Sequence, residues 1–133
     1  MPEDRTIPIL YEADIVQARN AAREYARDLG FKMVDQTRIA TAVSELTRNV
    51  IRYADEGEMI IKTVQAGGQT GLEITVSDRG PGIEDIELSM QDGYSTSGSL
   101  GKGLGGAKRL MDDFAITSVP GYGTTIIIRK WAR

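Results

Sequence analysis

A two-layer α+β fold, with helices covering one face of a mixed and largely antiparallel sheet, is what this chain of 133 residues predicts. That expectation rests on three features. Two long stretches in the first half repeat apolar residues at three- and four-residue spacing, as helices with one buried stripe do. Two later stretches pair alternating apolar and polar runs across short glycine-containing breaks, as hairpins do. No repeat, composition shift or linker divides the chain, so helices and hairpins must share one core. A single domain over residues 1–133 is expected.

The elements follow in order. Thr6 to Leu10 reads as a short strand. Asp14 to Leu29 reads as a helix, with Ile15, Ala18, Ala22, Tyr25 and Leu29 on one stripe, Asp14 as N-cap and Gly30 just past the end. Asp35 opens a second helix to about Tyr53, whose apolar face is Ile39, Val43, Leu46, Val50 and Tyr53. "EMIIKTVQ" and "GLEITVSD" flank "AGGQT", and "FAITSV" and "TTIIIRKW" flank "PGYG". Between these hairpins lie a short helix from Ile83 to Met90, a glycine- and hydroxyl-rich stretch, and a helix from about Leu104 to Asp113.

Composition removes much chemistry. There is no cysteine, so disulfides and thiolate metal sites are excluded. There is no histidine, so the chain holds no Ser-His-Asp triad, imidazole base or phosphohistidine. Any general base must be a carboxylate, or else a lysine or tyrosine. The net charge of -3 argues against a broad nucleic-acid surface. No apolar run reaches transmembrane length, and "MPEDRTIPIL" is no signal peptide. No membrane association and a cytoplasmic location are therefore expected.

Three motifs carry chemistry. In "SELTRNVIRYA", Glu45 and Asn49 lie one turn apart, about 40° around the axis. An amide oxygen suits a hard cation, and a carboxylate one turn away could take a proton. A solvated helix face, with Arg48 and Arg52 as ordinary charges, explains the same residues. In "LEITVSDRGPGI", Asp78 shares the parity of Leu72, Ile74 and Val76, so it points toward the covered face and needs a donor. An adenine amine would supply one; an Asx-turn to the loop's own amides would equally serve. In "YSTSGSLGKGLGGAKRL", a glycine run enters a helix, offering amides and Lys102 to phosphates, with Ser95, Thr96, Ser97 and Ser99 nearby. A surface loop is the alternative. Gly101, Gly103 and Gly106 match G-x-G-x-x-G, but the stretch follows no strand directly, and Lys102 precedes Gly103 rather than Ser or Thr.

Together and in this order, the three motifs resemble the GHKL superfamily of Bergerat-fold ATPases and kinases. "SELTRNVIRYA" is similar to its N box, "DRGPGI" to its G1 box, "GKGLGGAKRL" to its G2 box, and "GYGTTI" to its terminal Gly-Thr element. "VDQTRIATAVSELTRN", "DGYSTSG" and "AKRLMDDF" further resemble the RsbT-like switch-protein kinases of stressosome systems. The resemblance implies ATP and Mg²⁺ as cofactors. It implies Glu45 as catalytic base, Asn49 as Mg²⁺ ligand and Asp78 as acceptor of the adenine amine. Gly80, Gly82 and Ile83 would line the base. Gly101, Gly103 and Gly105 would wrap the phosphates, with Ser97, Gly98, Lys102 and Leu104 as further nucleotide-binding candidates, and Thr124 would support Asp78 or a bridging water. Two positions depart from the pattern: Lys102, where sensor kinases often have a hydroxyl residue, and Gly106, where many relatives have a larger apolar residue.

The implied partners are a STAS-domain protein substrate and the regulatory domain of a PP2C-type phosphatase, with no nucleic acid and no membrane. Three other readings remain at this point: an anti-sigma factor kinase that sequesters a sigma factor, a non-catalytic ATP-binding module, and a simple ATPase.

Overall fold

The computed structural model describes residues 2–54, 56–80 and 104–132. The elements run β1 (Arg5–Ile9), α1 (Ala13–Asp28), α2 (Met33–Tyr53), β2 (Gly57–Ala66), β3 (Gln69–Asp78), α3 (Leu104–Leu110), β4 (Asp113–Val119) and β5 (Gly123–Trp131). The expected helix Ile83–Met90 lies outside the described residues. The strands form one sheet in the order β1-β2-β3-β5-β4. Every pairing is antiparallel, so the expected mixed sheet narrows to a wholly antiparallel one among the described residues.

Alternation puts Ile7, Ile9, Met59, Ile61, Leu72, Ile74, Val76, Ile126 and Ile128 on one face, where they are buried beneath the helices. Tyr25 of α1 and Ile39, Val43, Leu46 and Val50 of α2 complete that core. On the other face Glu73 is buried between two cations, Lys62 at 3.3 Å and Arg129 at 2.7 Å, each on a neighbouring strand. Such cross-strand opposite charges help hold register.

The helix ends differ from the sequence expectation for local reasons. Asp14 is not the N-cap of α1; Glu12 holds that position with helical backbone angles and makes no side-chain cap. Asp14 sits inside the first turn and reaches back, its Oδ2 accepting from the amides of Leu10 and Tyr11 at 2.9 Å each. At the other end Gly30 has φ +89°, and the amides of Gly30 and Phe31 donate to Arg27 and Ala26 carbonyls. This is a Schellman stop, closed by buried Phe31. α2 begins at Met33, two residues before Asp35, after Lys32 in extended conformation. Asp35 lies in its first turn, where a carboxylate favours the helix dipole.

The β2–β3 connection is tighter than "AGGQT" suggests: Ala66 pairs Gln69, leaving Gly67 and Gly68 with φ +58° and +79°. That is the two-residue turn whose twist suits a hairpin. α3 stops at Leu110, three residues earlier than expected. Buried Lys130 donates from Nζ to the Leu110 carbonyl at 2.9 Å, and the Asp112 amide bonds the Arg129 carbonyl, so the chain is drawn into the sheet. Asp35 and Asp112 lie 3.9 and 3.8 Å from that ammonium.

Gly106 lies inside α3, and among the described residues a Cβ there would meet only Arg109 Nη2, at 3.9 Å. Gly106→Ala is expected to stabilise the protein by about 0.5–1 kcal/mol, a rise of about 2–4 °C in Tm by calorimetry. An unchanged or lowered Tm would show that α3 needs glycine there.

Candidate active site

The site is built where the last turns of α2 lie on the end of the sheet. Gly57 pairs with Asp78 across the β2–β3 ladder, and the next strand pairs Asp78 with Thr124. Glycines let these segments touch. A Cβ on Gly57 would come within 2.6 Å of the Ser77 carbonyl oxygen and 2.7 Å of Val50 Cγ1. A Cβ on Gly80 would come within 2.7 Å of Ala54 Cβ. Val50 and Ala54 belong to the end of α2, so that helix end is pressed against the strand end that carries Asp78.

Asp78 is half-buried. Its Oδ1 accepts from the Gly80 amide at 2.9 Å and from the Thr124 amide at 3.2 Å. Among the described residues no donor reaches Oδ2. The Asx-turn and the outside-ligand readings are thus compatible, one oxygen for each. Burial pushes the carboxyl above the 3.8 of an ordinary aspartate, and the two amide bonds pull it partly back. An acceptor oxygen left over at a partly desolvated site is the chemistry an exocyclic amine requires.

Thr124 is buried and takes two tasks. Its amide supports Asp78, while its hydroxyl bonds Ser118 Oγ at 2.9 Å. Ser118, on β4, is a supporting residue the sequence reading passes over, although it lies directly opposite Thr124. Gly123 is another. It has φ +141°, and a Cβ there would strike the Asp78 carbonyl oxygen. Gly123→Ala is expected to cost about 2–4 kcal/mol in denaturant unfolding, from backbone strain and this collision. It should also weaken nucleotide binding by displacing the Thr124 amide. A stable variant with wild-type affinity would contradict the close approach.

On α2, Asn49 is 6% exposed, which a plain solvated face would not produce. Glu45, one turn earlier, is half-buried, and its Oε1 accepts from Arg48 Nη1 at 3.0 Å. Leu104 is only 1% exposed, and its side chain is part of the core. Gly105 is buried in the same first turn of α3. Gly82, Ile83, Ser97, Gly98, Gly101, Lys102 and Gly103 lie outside the described residues.

A cleft of about 520 Å³ opens at the same strand end, lined by Glu56, Gly57, Glu58, Ser77, Asp78 and Arg79. Neither Glu45 nor Asn49 is among the described residues that line it. Among the described residues no group of three or more acidic side chains gathers to hold a metal.

The histidine kinase-like ATPase domain model matches residues 9–130. Over all 133 residues, the full length of both chains, this chain is 51% identical to the serine/threonine-protein kinase RsbT of Bacillus subtilis. The chain belongs to the RsbT serine/threonine-protein kinases, within the histidine kinase-like ATPases. This kinase is also 33% identical, over 86% of its length and 82% of the relative's, to an anti-sigma F factor of Caldanaerobacter subterraneus. Its fold is that of a Mycobacterium tuberculosis structure of RsbU and RsbW domains, with a TM-score of 0.66 at 18% identity, covering 99% of this chain and 33% of the longer one. The family accounts for ATP use and for the α+β architecture. Among the described residues no helix of the kinase is long and apolar enough to cross a membrane.

Proposed function

We propose that this kinase transfers the terminal phosphoryl group of ATP to a serine or threonine of a STAS-domain protein of the stressosome type. It then leaves that partner and activates a PP2C-type phosphatase through the phosphatase's regulatory domain, in the cytoplasm. The observation that carries the proposal is a half-buried Asp78, with no described donor on Oδ2, at the strand end against which the end of the helix carrying Glu45 and buried Asn49 is pressed.

In this reading Asp78 Oδ2 accepts from the adenine amine and sets the nucleotide's register. The Gly80 and Thr124 amides hold the carboxylate in place. Glu45 takes the proton of the attacking hydroxyl as the new O–P bond forms and the bond to ADP breaks. Asn49 offers its amide oxygen to Mg²⁺, which when bound neutralises phosphate charge. Phosphoryl transfer asks mainly for positioning and electrostatics, so a small domain suffices once the partner supplies an aligned hydroxyl.

The similarity to anti-sigma F factors favours a second reading, in which the released kinase sequesters a sigma factor. An exchange experiment separates the two. The kinase is captured on an immobilised STAS partner, ATP and Mg²⁺ are added, and the eluate is offered a phosphatase regulatory domain and a sigma factor. Release on ATP addition and capture by the phosphatase domain is the expected result. Capture by the sigma factor alone would replace this proposal with the second.

A further inference from the structure

Arg48 is assigned no part in the chemistry above, yet among the described residues it is the one ion-paired to the Glu45 carboxylate. Glu45 has three rotatable side-chain bonds and is 39% exposed, so without a partner it samples several rotamers. A base must sit within hydrogen-bond reach of the proton it takes. Arg48 follows three residues on, about 60° around the helix, close enough to bridge without leaving its own helix. Its Nη1 donates to Oε1 at 3.0 Å, leaving Oε2 without a described donor and able to accept. The next residue, Asn49, is buried, so the bridge lies at the margin of the site. Arg52, one turn further, is exposed and makes no such contact with Glu45.

We propose that Arg48 is a positioning residue for the reaction, holding Glu45 through Oε1 so that Oε2 faces the incoming hydroxyl. The proposal rests on the reading of Glu45 as the base. The guanidinium also keeps a negative side chain beside a polyanionic nucleotide from being driven away.

The test is a double-mutant cycle on phosphoryl transfer to the partner, with ATP affinity measured by calorimetry on every protein. Arg48→Ala is expected to lower kcat by about tenfold to a hundredfold, with KM and affinity for ATP unchanged. Arg48→Lys should recover part of the loss, and Arg52→Ala should lose little. Adding Arg48→Ala to Glu45→Gln should cost nothing further, because the effect passes through Glu45. A carboxyl carbon NMR signal of Glu45 that moves or broadens in nucleotide-free Arg48→Ala supports the same contact without any partner. Wild-type kcat in Arg48→Ala, or a loss seen as weaker ATP binding instead, overturns the proposal. If Glu45→Gln itself transfers at the wild-type rate, the base assignment has failed, while the NMR response still reports whether Arg48 holds Glu45.

Discussion

Asp78→Asn is expected to abolish measurable ATP binding and to leave the fold intact. Asparagine keeps an oxygen for the Gly80 and Thr124 amides, so the strand end stays closed. It places an NH₂ where the carboxylate offers Oδ2, so that NH₂ and the adenine amine, both donors, then face each other. The expected loss is on the order of a hundredfold or more in affinity by calorimetry. Stability moves the other way. Because burial raises this carboxyl above 3.8, the native state holds a proton that the unfolded chain has already released. The wild type therefore loses stability as pH rises from 3.8 through the raised value, and the cost is complete above it. Asp78→Asn carries no such cost, so it should be at least as stable as wild type at neutral pH, with the gap closing as pH falls through that window. Full-strength binding by the folded variant would remove Asp78 from the nucleotide site. A gap that widened on acidification would contradict the raised titration.

Glu45→Ala should separate chemistry from binding. Glu45 makes no described hydrogen bond or ion pair with Asp78 or its supporting amides, so ATP affinity should stay within a few-fold of wild type. Transfer to the protein acceptor should fall by about 10²–10⁴-fold, the usual contribution of a general base. Rapid-quench transfer at saturating ATP measures this directly. A variant transferring at the wild-type rate would mean that the acceptor hydroxyl loses its proton elsewhere.

The fold is legible wherever a periodic pattern meets one core. The stripe Ile39, Val43, Leu46 and Val50 and the alternation Leu72, Ile74 and Val76 follow from burial alone, and both are buried as expected. The parity of Asp78 follows from the same alternation, and its half-buried position agrees. What escapes pattern reading depends on contacts far apart in sequence. The end of α3 is set by Lys130, twenty residues beyond Leu110. The second donor to Asp78 is an amide 46 residues away, and the sequence suggests it only through the resemblance of "GYGTTI".

Helix starts escape for a different reason. Asp14 and Asp35 are the right residue type near a helix N-terminus, but capping is decided by backbone angles at Glu12 and Lys32. Leu104 sits beside the glycine run, yet its apolar side chain belongs to the core. Arg48 was within reach of the sequence: three residues after a carboxylate is a standard helical ion-pair spacing.

The central claim is that this chain is a protein kinase whose acceptor is a STAS-domain hydroxyl. Incubation with γ-labelled ATP, Mg²⁺ and candidate STAS-domain proteins, followed by mapping of the labelled residue, tests it most directly. The expected result is label on one serine or threonine of a STAS domain, lost in Glu45→Ala and Asp78→Asn. Release of labelled inorganic phosphate with no labelled STAS protein, from a kinase that binds ATP, would contradict it.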